Sequence, residues 1–222
     1  MSTPDIEVDA NRLLKKVRRA RGAPGKKRPI LVEVCGTSKS GKSTIREMLY
    51  TFFRRAGFSV HTLPEAAGTI EVGRKNQYFY TLRAGAYNLS NLLDRAEDPR
   101  YDIVIFERSI FDHLCWWTLI HKEGLIDDKT LLKMQAFYSQ PGITDLLDAV
   151  VFLTCDPETA LKREPTLVQK TGARMNPKTQ LVLTEAFMET ARVFGPSFKT
   201  FRHFDNSGDD HVERHPVRSL DS

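Results

Sequence analysis

A chain of 222 residues suits one domain with one core, and 41% hydrophobic with 27% charged residues is the balance of a globular protein. No apolar run approaches a membrane span, and the N-terminal MSTPDIEVDANRLL has acids where a secretion signal carries bases, so the expected location is the cytoplasm, with no membrane partner. Three cysteines without CxxC spacing and six histidines without HExxH spacing argue against a disulfide framework and against a protein-held transition metal.

The net charge of +5 is unevenly spread. From Arg12 to Arg28 the chain reads RLLKKVRRARGAPGKKR, nine bases and no acid. Such a run reads as an arm for nucleic acid or another anionic surface, or as a solubilising leader with a short helix up to Ala20. No aromatics are interleaved with the charges, which favours the leader. Residues 1–28 are therefore set apart from a domain spanning 29–222.

Within that domain strands and helices alternate. PILVEVCG (29–36) is a β-branched apolar run, followed by a helix over 42–56 that Gly57 stops. FSVHTLPE (58–65) is a second strand, 75–96 a long helix, YDIVIFER (101–108) a third strand and 109–122 a helix. A helix over 128–139 is closed by Pro141-Gly142. DAVVFLTCD (148–156) is a fourth strand, and Asp156-Pro157-Glu158 has the chemistry of a helix start. Residues 163–177 are basic and without clear periodicity. Asn176-Pro177 opens a last helix that Gly195-Pro196 ends, and 198–208 offers a fifth strand. This alternation predicts an α/β fold, a five-stranded parallel sheet between two helical layers, with loops gathered beyond the carboxyl ends of the strands.

One motif is specific. GTSKSGKS (36–43) satisfies GxxxxGK[ST] between a strand and a helix. Backbone N–H groups from Gly36 to Thr44 can wrap a phosphate, Gly36 and Gly41 permit the turn, Lys42 meets the β- and γ-phosphates, and the Ser43 hydroxyl would ligate Mg²⁺. The nucleotide-binding set is thus Gly36, Thr37, Ser38, Lys39, Ser40, Gly41, Lys42, Ser43 and Thr44, with the Lys39 side chain expected to face solvent. The remaining loops show no Asn/Thr-Lys-x-Asp tetrapeptide for guanine and no Asp-Glu strand end of a motor ATPase. The third strand ends instead in Glu107-Arg108-Ser109. An arginine there suits a second anionic or hydroxylic substrate better than water.

FERS (106–109) after an apolar strand resembles the Asp/Glu-Arg-[Ser/Tyr] motif of small-molecule P-loop kinases, the deoxynucleoside, thymidylate and nicotinamide-riboside-kinase-like group. LPEAAGTIE, NQYFYTLRAGAYNL, REPTLVQKTGAR and FDNSG are similar to that group's acceptor-site acid segment, acceptor helix, lid and adenine-side loop. The resemblance covers roughly residues 29–210 and implies a P-loop NTPase fold using ATP and Mg²⁺ on a small acceptor. It implies that Glu107, with Ser43, holds the metal, that Arg108 contacts acceptor and transferring group, and that Glu65 orients or deprotonates the acceptor hydroxyl. Arg163, Lys170 and Arg174 would close over the phosphates, Asn206 and Gly208 would lie on the adenine side, and Gln77, Tyr80 and Arg83, with Tyr78 and Tyr87, would read the acceptor.

Structural alternatives stand beside these roles. Glu65 could cap the segment after it, Arg108 could pair with Glu107 as a plain salt bridge, and the helix aromatics could be core. One of Trp116 and Trp117 is expected on the surface or at a subunit interface, which leaves room for a homodimer. A kinase of nucleic-acid ends, a kinase of another metabolite and an ATPase switch remain alternatives to a nucleoside or nucleotide kinase.

Overall fold

The computed structural model describes residues 11–19, 28–70, 77–163 and 175–208. The short apolar runs become β1 (Ile30–Gly36), β2 (Val60–Leu63), β3 (Ile103–Glu107), β4 (Ala149–Thr154) and β5 (Phe201–Asp205). They form one all-parallel sheet in the order β2-β3-β1-β4-β5. The helices are α1 (residues 11–19), α2 (Lys42–Arg55), α3 (Gln77–Ala96), α4 (Ile110–Lys122), α5 (Asp128–Tyr138), α6 (Pro141–Thr144), α7 (Pro157–Lys162) and α8 (Pro177–Phe194). No helix among the described residues is long and apolar enough to cross a membrane.

Strand periodicity divides the core in two. Successive side chains of a strand point to opposite faces. On one face Val34, Ile103, Ile105 and Leu153 pack with Phe53 of α2, and on the other Leu31, Cys35, Val104, Phe106 and Phe152 pack with α3, α4 and α8. Helix α4 lies in the middle of this second layer and is buried on nearly every side, so both halves of its sequence are apolar. Trp117 is completely buried there, and Trp116, the less buried of the two, is half-buried. All three cysteines are buried free thiols.

Helix starts follow the local chemistry. Asp127, Asp156 and Asn176 each accept the N–H three residues on, at 2.8–2.9 Å, and so satisfy a donor that the helix start leaves free. Pro141 does not simply terminate α5; it occupies the first turn of the four-residue α6, where its missing N–H is no loss. The basic run is in part docked on the domain: Val17 is buried against Phe53, Phe58 and Val60, and the Arg18 guanidinium lies over the Phe58 ring.

The sheet changes winding direction around β1, which lies between β3 and β4 in the sheet, and there the backbones approach closely. Gly36 has φ 139°, and a Cβ on it would stand 1.7 Å from the carbonyl oxygen of Leu153. Gly36→Ala therefore forces β1 and β4 apart. We expect a loss of about 3 kcal/mol or more in urea unfolding; a change under 1 kcal/mol would show that the approach is not tight.

Candidate active site

The sequence between β1 and α2 curls into a cradle. Gly41 takes φ 91° and Lys39 φ 54°, left-handed conformations that turn the backbone inward. Inside the cradle the Thr37 carbonyl accepts from Ser40 Oγ at 2.9 Å and from Lys42 Nζ at 2.6 Å. Lys42 is nearly buried, and burial, with the nearby Arg108 charge, pulls its pKa down to about 8. Ser43 and Thr44, on the first turn of α2, remain exposed. The outer wall is braced: Asn206 Nδ2 donates to the Ser40 carbonyl (3.1 Å), and Arg163 donates to the carbonyls of Lys39 (3.1 Å) and Gly208 (2.9 Å). Gln180 Nε2 donates to Ser38 Oγ at 3.3 Å. Arg163 thus uses two donors to hold the loop, where the sequence suggested a reach across phosphates. Lys39 is half-buried and not fully turned to solvent.

Glu107 and Arg108, adjacent in sequence, part company at the tip of β3. The two-residue period sends Glu107 to the α2 face. Its Oε1 accepts from Ser43 Oγ at 2.7 Å and its Oε2 from Arg46 Nη1 at 2.7 Å. Arg108 points to the α4 face with a left-handed backbone, φ 65°. Its Nη1 donates to Asp112 Oδ1 (2.6 Å) and to the Gly36 carbonyl (3.3 Å), and its Nε lies 3.1 Å from Glu65 Oε1. The guanidinium also sits 5.9 Å from the Trp116 ring centre, and Trp116 Nε1 donates to Asp112 Oδ2 at 2.7 Å. The sequence-based alternative of a Glu107–Arg108 salt bridge is replaced by two separate clusters.

The charges of the second cluster are set by one another. Arg108 holds the Glu65 carboxyl below its ordinary range, so Glu65 is an ionised acceptor at neutral pH. Burial works against the Arg108 charge, but Asp112 and Glu65 more than offset it. Burial pushes Asp112 up against the pull of Arg108.

Behind this cluster lies a cavity lined by Glu65, Tyr80, Asn88, Arg108, His113 and Trp116, with Thr81, Asp112 and two alanines between them. Its space of about 30 Å³ holds a water or two. Asn88 and His113 are buried and joined at 3.0 Å, Nδ2 to Nε2. Of the residues expected to read an acceptor, Tyr80 lines the cavity. Arg83 does not: Thr81, Ala84, Gly85 and Asn88 form the inner face of α3, and two positions on from Thr81 is the far side, so Arg83 is exposed. Gln77, half-buried one turn before Thr81, and Tyr87 are also outside the lining, and Tyr78 packs on Trp117. Lys170 and Arg174 lie outside the described residues.

Sequence reasoning missed Arg46, Asn88, Asp112 and His113. Arg46 follows Ser43 by three positions, one helical turn, and that spacing was a usable signal. His113 gave none, because a lone histidine in an apolar helix looks like core. Burial holds its pKa down to about 4. The unfolded chain takes up a proton there near pH 6.5 that the folded chain refuses until about pH 4, so this group removes stability as pH falls through that window. Relative to His113→Gln, the wild type should lose about 2 kcal/mol more between pH 7 and pH 5 in urea unfolding. Parallel losses would mean that His113 is reached by water.

No protein-family model and no curated protein matches the sequence. Solved structures do. A deoxyadenosine kinase from M. mycoides with bound dCTP aligns at TM-score 0.54 and 18% identity, over 82% of this chain and 92% of that one. The same enzyme with bound dATP aligns at TM-score 0.53 and 18% identity, over 81% and 93%. At this identity the likeness is one of fold, and the P-loop kinase fold agrees with the group that the GTSKSGKS and FERS segments resemble.

Proposed function

We propose that the protein is an ATP- and Mg²⁺-dependent kinase that moves the γ-phosphoryl group to a hydroxyl of a small acceptor of the nucleoside or nucleotide class. The observation that carries this reading is the Arg108 guanidinium, which touches the phosphate loop at Gly36 on one side and Glu65 at the cavity on the other. A plain ATPase needs no such bridge between the nucleotide cradle and a second cavity.

In this reading the loop N–H groups and Lys42 hold the triphosphate. The donor set fits magnesium: the Ser43 hydroxyl and the Glu107 carboxylate lie together at 2.7 Å, and this ion commonly takes one or two protein oxygens and completes its shell with phosphate and water. Magnesium there would offset negative charge between the β- and γ-phosphates. Arg46 keeps Glu107 turned to Ser43. Glu65, held ionised, accepts the hydrogen bond of the acceptor hydroxyl and takes its proton as the new P–O bond forms and the bond to the ADP oxygen breaks. Arg108 faces the oxygens in transit, where its fixed charge stabilises the transition state without reorganisation. A nucleoside needs a pocket of some hundreds of Å³, so the cavity must widen to admit it. The structural likeness to deoxyadenosine kinases supports the acceptor class.

Two variants test the assignment, with ADP release measured in the presence of a nucleoside acceptor. Lys42→Ala should abolish transfer, and wild-type turnover would remove the phosphate-loop role. Glu65→Gln should lower kcat by about 100-fold or more while ATP affinity stays within a few-fold. Unchanged kcat would make Glu65 a structural ion-pair partner of Arg108.

A further inference from the structure

Glu33 stands in the middle of β1, completely buried, where the strand pattern calls for an apolar residue. It shares the face of Leu31 and Cys35 and so points at α4. Its carboxylate collects three backbone donors: Oε1 accepts from Ser109 N (2.8 Å) and Asp112 N (2.9 Å), and Oε2 from Phe111 N (3.0 Å). These are the free N–H groups at the start of α4, which an N-cap side chain ordinarily satisfies. Ser109 occupies that cap position but makes no side-chain cap bond. The helix is capped from the sheet, 76 residues earlier in the chain.

A buried carboxylate is a costly way to cap a helix. Burial, with Asp112 close by, pushes the Glu33 pKa up to about 7 against the pull of its three N–H partners. A serine or aspartate working locally would cap without that desolvation. What a local cap could not do is tie α4 to the strand that carries the phosphate loop. The neighbouring residue of β1 completes the tie, because the Val34 carbonyl accepts from Arg108 N at 3.0 Å. Arg108, the one residue between β3 and Ser109, has the left-handed backbone that non-glycine residues keep only when their surroundings over-determine it.

We propose that Glu33 is a positioning residue: by gripping the N–H groups of Ser109, Phe111 and Asp112 it fixes the β3–α4 turn that presents Arg108 and Asp112. Its kinetic consequence rests on the phosphoryl-transfer reading, whereas its structural consequence does not. The change Glu33→Gln keeps size and shape but places an NH₂ against a backbone N–H, so one of the three bonds must be lost.

The test uses the full chain with Glu33→Gln, and Glu33→Asp, which keeps the charge and shortens the reach, should the first variant not fold. In ¹⁵N NMR the Arg108 Nε–H of the wild type should exchange slowly with solvent, and in the variant it should exchange at least about tenfold faster while amides of the β1–β4 core stay protected. In kinetics kcat should fall about 10- to 100-fold with KM for ATP unchanged. In the pair Glu33→Gln/Arg108→Lys the loss should not exceed that of Arg108→Lys alone, because both act through one group. Losses that multiply, or an Arg108 Nε–H signal indifferent to Glu33, would overturn the proposal. Should the wild type phosphorylate no acceptor, the transfer reading fails by itself, and the exchange of Arg108 still decides the role of Glu33.

Discussion

Arg108 holds its guanidinium between Glu65 and Asp112, with one N–H on the Gly36 carbonyl and the Trp116 ring beside it. An arginine this deeply placed gives up most of its hydration, which only several simultaneous charge-assisted bonds can offset. Those partners come from three places in the chain: the end of β1, the segment after β2 and the first turn of α4. The cluster therefore exists only if β1, β2 and β3 are in register at their carboxyl ends, as the pairing of Val34 with Glu107 and of Leu63 with Phe106 provides. Removing Asp112 or Arg108 would leave a buried charge short of its closest partner.

From that constraint the division of labour along the sheet edge follows. The pleat turns Glu107 to α2, where Ser43 and Arg46 meet it, and turns Arg108 to α4, where the cavity lies. One strand end thus supplies both a carboxylate suited to a metal–phosphate complex and the cation suited to a group in transit. Gly36 lies against both β4 and Arg108, so the phosphate loop and the cavity share a wall. This shared wall is the physical reason to favour transfer between two substrates over hydrolysis.

Much of the fold was legible because its signals are local. Apolar β-branched runs, Gly/Pro stops and Asp or Asn before Pro marked each strand and most helix starts within one to three residues. GTSKSGKS and FERS likewise placed Lys42, Ser43, Glu107 and Arg108 on one edge. What sequence could not settle was partnership. Glu107 and Arg108 look like a pair because they are adjacent, and only the pleat separates them. Glu33 interrupts an apolar strand, a visible irregularity, but its partners are backbone N–H groups 76 to 79 positions away. Asn88 and His113 meet across two helices, and nothing in either helix announces the other. Arg83 misleads in the opposite sense, a charged residue in an acceptor-helix resemblance that helical geometry turns outward.

The most direct measurement is ADP release from Mg-ATP over a panel of nucleosides, nucleoside monophosphates and other hydroxylated metabolites, each product identified by mass. A bridge between phosphate loop and cavity predicts that at least one nucleoside or nucleotide gains a phosphoryl group and raises ADP release well above the rate with water alone. ADP release that is the same with every acceptor, and no phosphorylated product, would contradict it.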